Sequence, residues 1–461
     1  MKRYILVIFF IFWQVLPASA TLSTTEEKKL GEKFIVEVKR HLPLIDDPII
    51  NNYINNLGQT LVSQLPSRPF TYHFYVIDDS TLNAFAGPGG HIFIYRGLFL
   101  AFENEDELAG VIAHECGHVV CRHIADRLEN SKKLSIATLL AILAGGIITR
   151  SPQASAAIAT TAMATSTALS LSYSREDEEE ADRTGLKLVS EAGYNGKGTV
   201  TAFKKLARLS LESGGKIPPY LLTHPALPTR ITYIEQALKS TSYSYSNVDR
   251  DQTKFKIAHA RLRALYGDVD AAFNSFSAFK KKNPQNFANH YGLGLCAVRK
   301  KNWQEALVNF KKASSLKPDE PIILRELGIC HFYLGQFSSA IGILEKVPED
   351  AQSLFYLGRA YQEKGLISKA ISTWKKCVKI NPDYAMAYYY LAKAYANVSP
   401  FNVATLDSPN LKERAWSHYY LGIYFKLGGK FPQADYHFKK ALMLAKDEEL
   451  KGKLRQILDK K

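Results

Sequence analysis

The five residues His114-Glu115-Cys116-Gly117-His118 could do chemistry together. If the segment is helical, residues four apart lie on one face, so both imidazoles point the same way. Two such imidazoles can grip one Zn²⁺, and the glutamate between them can reach a metal-bound water as general base. That arrangement hydrolyses peptide bonds. The competing explanation is an ordinary helix with a solvated histidine and glutamate. A hydrolytic zinc site needs a third protein ligand and one position for water. The acidic run Ser174-Arg175-Glu176-Asp177-Glu178-Glu179-Glu180-Ala181-Asp182 offers carboxylates. On a helix Glu178 and Asp182 share a face, as do Glu179 and Arg183. One carboxylate can bind metal, while the one four residues on accepts an N–H from a ligating histidine and fixes its tautomer. Spacing leaves the choice among the glutamates open, and the run also reads as a solvated helix start.

The elements that must carry these groups are legible in outline. Residues 24–65 read as helical, with breaks at Pro43 and Pro48. Residues 70–79 (FTYHFYVIDD) are rich in aromatic and β-branched types and read as a strand. Residues 82–90 (LNAFAGPGG) read as a turn-rich loop, and 91–95 (HIFIY) as a second strand. Residues 103–128 read as the helix bearing the motif, with acids at its start where the helix dipole favours them. Residues 134–149 are strongly apolar but only 16 long, short of the ~20 needed to span a bilayer. With the Ala/Ser/Thr-rich run to Leu171 they read as a buried helical hairpin; a peripheral membrane contact or membrane anchor is the second reading. His91 and His123 stand singly and read as structural.

The chain has 461 residues and a net charge of +15. Residues 251–461 hold 34 Lys and Arg against 19 Asp and Glu, whereas the first 250 hold 25 of each sign. A basic C-terminal half suits an acidic protein surface or an anionic membrane. No nucleic-acid motif accompanies it, so no nucleic-acid partner is expected. Residues 1–20 have the form of a secretory signal: Lys2 and Arg3, an apolar run from Tyr4 to Val15, then Ala18-Ser19-Ala20. The expected location is therefore periplasmic. Five cysteines (116, 121, 296, 330 and 377) include no C-x-x-C pair and read as small packing residues.

Residues 240–253 are polar and serine-rich, as a linker is. After them the sequence repeats. Leu293-Gly294, Leu327-Gly328, Leu357-Gly358, Leu391-Ala392 and Leu421-Gly422 recur at spacings of 34, 30, 34 and 30. Twelve residues after each pair come Ala306, Ala340, Ala370, Ala404 and Ala434, and four further on Phe310, Leu344, Trp374 and Phe438; the unit with Ala404 lacks the large residue. Small residues let paired helices approach and large ones fill between them. This is the tetratricopeptide pattern, which implies a helical solenoid with a protein-binding face.

H-E-x-x-H followed by S-R-x-x-E-x-x-A-D resembles the zinc metallopeptidase family of the CAAX-prenyl endopeptidase and the heat-shock protease HtpX. Asn83-Ala84-Phe85-Ala86 resembles the family's loop beside the active-site cleft, and Thr223-His224-Pro225 with Arg230 its T/S-H-P-x-x-x-x-R-I segment. The resemblance implies Glu178 as third zinc ligand and Asp182 as its partner. It further implies His224 near the zinc as gate or transition-state donor, and Arg230 as an oxyanion stabiliser. It implies one Zn²⁺ per chain, and quality control of outer-membrane β-barrel proteins in contact with their assembly machinery.

The expected architecture is α+β: a mostly helical zincin-like metallopeptidase domain with a small β-sheet, followed by an all-α tetratricopeptide solenoid. The expected divisions are 1–20 signal, 21–240 metallopeptidase, 241–253 linker and 254–461 repeats. In the expected mechanism His114, His118 and Glu178 hold zinc and Glu115 is the general base. The substrate, an unfolded or stalled chain, lies along the edge of the strand at 91–95. The alternative is a chaperone or adaptor for outer-membrane protein assembly with latent protease activity.

Overall fold

A computed structural model describes residues 22–130, 135–144, 172–212, 217–240, 250–397 and 411–459. The signal-like segment, the run at 145–171 and Ala404 lie outside them. The chain divides into two compact units, Met1–Leu262 and Arg263–Lys461.

In the first unit, α1 (Thr24–His41) starts on a capping box made by Ser23 and Glu26, and α2 (Pro48–Val62) on Asp47 with Pro48 at its first position. Three strands follow: β1 (His73–Ile77), β2 (Ala84–Gly87) and β3 (His91–Tyr95). Next come α3 (Arg96–Ala101), α4 (Glu105–Val120), α5 (His123–Asn130) and α6 (Ile136–Leu143). The unit continues with α7 (Arg175–Glu191), α8 (Lys197–Glu212), α9 (Pro219–Thr223) and α10 (Leu227–Lys239). The division after Leu262 falls within α11 (Thr253–Tyr266).

The sheet order is β1-β3-β2, with β1 parallel and β2 antiparallel to β3. This corrects two expectations. Residues 84–87 form a strand rather than loop, because Gly89 and Gly90 (φ 75° and 90°) turn the chain back and Phe85 pairs with Phe93. In consequence β3 is the central strand. Both of its edges are taken, so no substrate can add alongside residues 91–95 without displacing β1 or β2.

The helix bearing the motif is also shorter than the pattern suggests. α4 ends at Val120; Arg122 takes a left-handed conformation (φ 60°), and α5 begins at His123. α4 is the central element of its unit: from Leu108 to Val119 every residue is buried. Two glycines let α7 lie directly against it. A Cβ on Gly117 would stand 2.5 Å from the Ala181 carbonyl oxygen, and one on Gly185 2.9 Å from the His114 nitrogen. We therefore expect Gly117→Val to separate α4 from α7 and destabilise the protein by about 1–3 kcal/mol. The same change should lower metal occupancy, measured on the purified protein beside its unfolding midpoint; wild-type values for both would refute the close approach.

The described part of the apolar segment, α6, packs Leu139, Leu140 and Leu143 into the core with Phe34, Phe85 and Phe93. The Asn83 side-chain amide donates to the Leu143 carbonyl (3.3 Å) and the Tyr95 hydroxyl to that of Ala144 (3.2 Å), satisfying the end of α6. Among the described residues no helix is long and apolar enough to cross a membrane.

The second unit is a succession of helices. They are α12 (Val269–Lys282), α13 (Phe287–Arg299), α14 (Trp303–Leu316), α15 (Pro321–Tyr333), α16 (Phe337–Leu344) and α17 (Ala351–Glu363). After these come α18 (Ile367–Ile380), α19 (Ala385–Asn397), α20 (Leu411–Leu427), α21 (Phe431–Leu444) and α22 (Glu448–Leu458). The repeat pattern has a physical counterpart here. Gly294 meets the Phe310 ring, Gly328 meets Leu344, Gly358 meets Trp374 and Gly422 meets Phe438. Each small residue on one helix receives the large residue of the next, and Trp374 is fully buried, its indole N–H donating to the Phe355 carbonyl. All five cysteines are free thiols; Cys121 is half-buried and the other four are buried.

Candidate metal centre

Helix α4 projects His114 and His118 from one face, as their spacing requires, and both are buried. Helix α7 brings Glu178 and Asp182 to the same place. Its start is fixed by a capping box between Ser174 and Asp177, so the first turn is rigid where Glu178 leaves it. The turn between α9 and α10 supplies His224, with Ala226 left-handed at φ 63°, and α10 supplies Arg230 one turn later. Nothing in the spacing of 114–118, 178–182 and 224–230 links the three segments; the packing of α7 and α10 on α4 does.

Four ligand atoms from His114, His118, Glu178 and His224 lie within 4.8 Å of one another. The Nε2 atoms of His114 and His118 are 3.0 Å apart, and His224 Nδ1 is 3.2 Å from His114 Nε2 and 2.9 Å from Glu178 Oε1. His118 Nε2 is 3.4 Å from the same carboxylate oxygen. Glu178 is thus the glutamate the helix aims inward, while Glu179 pairs with Arg183 and Glu180 turns toward His123.

This donor set suits zinc: nitrogens and one carboxylate oxygen, converging and buried. Around it sits a second layer. The His114 Nδ1–H donates to Asp182 Oδ1 at 2.7 Å, leaving Nε2 free to face the cluster. Arg230 donates to both Asp182 oxygens at 2.7 Å and pairs with Glu178 through Nη1. The Tyr233 hydroxyl donates to Asp182, and the Phe203 ring lies under the Arg230 guanidinium at 4.5 Å. Burial alone would raise the Glu178 carboxyl, but His224 and Arg230 outweigh it and hold it well below its usual range. Burial likewise opposes ionisation of Asp182, yet Arg230 and His114 bring it down to about 2. Burial lowers His118 well below the usual imidazole value, favouring the neutral form.

Glu115 differs from these. Neither of its carboxylate oxygens has a hydrogen-bond partner, and the side chain is fully buried. Burial raises its pKa, with His224 and His114 opposing. His224 Nε2 is 3.5 Å from Glu115 Oε1.

All seven residues singled out in the sequence meet at this centre. The sequence did not reveal its aromatic walls. Tyr173 stacks on His118 with ring centroids 3.6 Å apart, and Tyr220 stacks on His224 at 4.5 Å. No spacing marks these two, whereas Tyr233 lies one helical turn after Arg230 and could have been found. His123 is not a detached structural residue: its Nδ1 is 2.9 Å from His118 Nδ1.

A helix with His-Glu-x-x-His, a glutamate from a second helix and a repeat unit later in the chain define a metallopeptidase-type domain joined to tetratricopeptide repeats. The chain belongs to peptidase family M48, whose model matches residues 48–238, and tetratricopeptide models match 247–321, 297–355 and 358–398. It is 32% identical over 423 residues to the beta-barrel assembly-enhancing protease of Yersinia pestis, covering 83% of this chain and 86% of that one. The Escherichia coli K12 protein of the same name is 30% identical over 65% of this chain, and a putative one from Vibrio cholerae 31% over 70%. Those two alignments span only 62% and 64% of the relatives' own lengths. The mitochondrial metalloendopeptidase OMA1 of Schizosaccharomyces pombe is 30% identical over 40% of this chain.

Proposed function

We propose that the protein is a periplasmic zinc endopeptidase whose centre rests in a closed state, with His224 as the closing group. The observation that carries this is the convergence of four protein donors beside a buried Glu115 whose oxygens accept no hydrogen bond. His114, His118 and Glu178 are the residues that would hold the metal. Bound there, Zn²⁺ would supply Lewis acidity and lower the pKa of a water toward ~7. Glu115, buried beside this cluster, would be the group that takes a proton from water and returns it to the leaving amine. Asp182 holds His114 in the tautomer that presents Nε2. Arg230 keeps both carboxylates ionised, a positioning role that its engagement with Asp182 and Glu178 supports over direct contact with an oxyanion.

Four protein donors make the closed kind of zinc site, and a catalytic one keeps a position open. With the metal held by all four, His224 would have to withdraw before a substrate enters. This restraint suits a protease of protein quality control. The name of the bacterial relatives points to β-barrel assembly, so the substrates we propose are misfolded or stalled outer-membrane proteins. The assembly machinery would be docked through the repeats. The periplasmic placement rests on the signal-like residues 1–20.

A second reading, a chaperone or adaptor with latent proteolysis, draws on the same closed set. Glu115→Gln separates them, since a wild-type cellular phenotype in that variant would make proteolysis secondary; His224→Ala tests the closed state itself. On an unfolded β-barrel protein the variant should cleave about tenfold faster than wild type or more, with zinc retained, because a restraining ligand is removed. Slower cleavage with zinc retained would mean that His224 serves the reaction itself and that the closed-state reading is wrong.

A further inference from the structure

His123 has no part in the proposed centre, yet it touches it. We infer that His123 and Glu180 form a hydrogen-bonded strut that fixes the tautomer and ring orientation of His118. Both act as positioning residues for metal binding, which rests on the ligand set proposed above, with His118 ligating through Nε2.

The hydrogen positions follow from the distances. His118 Nε2 faces His114 Nε2 at 3.0 Å and Glu178 Oε1 at 3.4 Å, so this nitrogen presents its lone pair to the metal. A neutral imidazole carries one N–H, which then sits on Nδ1. The atom opposite is His123 Nδ1, at 2.9 Å. Two N–H groups cannot face each other at that distance, so His123 Nδ1 accepts and its own hydrogen sits on Nε2. That nitrogen points at Glu180 Oε2 (3.2 Å), with Asp177 Oδ1 further off at 3.8 Å. Each member thus dictates the hydrogen position of the next, from an exposed carboxylate to the buried ligand. His114 obtains the same service directly from Asp182; His118 obtains it through a second ring.

The backbone is built for this contact. α4 ends with the Cys121 and Arg122 N–H groups donating to the Gly117 and Val119 carbonyls, and Arg122 adopts a left-handed conformation that non-glycine residues seldom take. The turn brings His123 back over His118 instead of one turn further along a continuing helix. The Arg122 guanidinium is tied to the buried Glu27 at 3.2 Å, which anchors the turn to α1. On its other face His118 is stacked by Tyr173, itself covered by Arg127 at 3.3 Å. His118 is therefore clamped by a ring on its face and a hydrogen bond at its back.

Zinc affinity of the purified full chain, measured by competition with a chromophoric chelator, tests the strut. His123→Ala should weaken zinc binding about 10–100-fold and shift the visible absorption of the Co²⁺-substituted protein. His123→Asn, whose Oδ1 can accept the same N–H, should restore affinity to within about threefold of wild type. Glu180→Leu should weaken it more than Glu180→Gln, which still accepts. Wild-type affinity in His123→Ala would overturn the inference. So would His123→Asn binding as weakly as His123→Ala, since packing alone would then explain the loss. Because Cys121, His123 and Glu180 also lie within ligating distance of one another, a second zinc lost in Cys121→Ser would overturn it too. If His123→Ala does not fold in the metal-free state, Glu180→Leu and His123→Asn carry the test. His118→Ala run in parallel separates the levels: retained zinc there would remove the ligand assignment itself, whereas loss there with no effect at His123 would remove the strut alone.

Discussion

Glu115→Gln is expected to lower peptide-bond hydrolysis by at least about 100-fold and to leave zinc content unchanged, because a positioned general base contributes roughly 10²–10⁴. The substitution is nearly isosteric and removes only the ability to take a proton. Glu115 lies on α4 between two proposed ligands, but neither of its oxygens accepts a hydrogen bond, and His224 Nε2 stands 3.5 Å from Oε1. No fold-stabilising hydrogen bond is lost, so the unfolding midpoint should stay at the wild-type value. The measurement pairs turnover on an unfolded β-barrel protein with metal analysis. Retained turnover would exclude Glu115 as the base; turnover and zinc lost together would mean that the residue serves metal binding instead.

Arg230→Met is expected to have the largest effect on stability, about 3–5 kcal/mol in the metal-free protein, the usual result of leaving a buried charge without its partner. Arg230 is 2% exposed and neutralises two carboxylates, Asp182 and Glu178, that are equally buried. Methionine fills comparable volume on the Phe203 ring but supplies no charge. Zinc bound beside Glu178 would replace part of the missing positive charge. The deficit should therefore shrink when the variant is loaded with zinc, and denaturant unfolding with and without metal measures the difference. An equal deficit in the two states would mean that Arg230 packs the α10 helix and does not hold the carboxylates.

Much of this site is legible in the amino-acid sequence. The i, i+4 spacing of His114 and His118 forces them to one face whatever surrounds them, and Glu178 with Asp182 follows the same rule. The repeat pattern is equally readable, since each Gly–Phe, Gly–Leu or Gly–Trp meeting depends on two positions at fixed separation in one hairpin. Three features are not. Residues 84–87 form a strand only because Phe85 finds Phe93 across the sheet, and Ala-Phe-Ala-Gly has little strand signal of its own. The centrality of β3, which removes the expected substrate edge, follows from that pairing. The end of α4 at Val120 is set by a left-handed arginine that no propensity marks as a stop.

The ligand types, the helical faces that carry them and the helical repeats are written in the chain, because all of these depend on residues a few positions apart. Packing alone chose which glutamate points inward, brought His224 beside His114 and Glu178, and set His123 behind His118. Those outcomes join segments as much as 110 residues apart, through glycine-permitted contact of α7 with α4 and a turn anchored by Arg122 to Glu27. Periodicity along one element carries no record of which other element will pack against it.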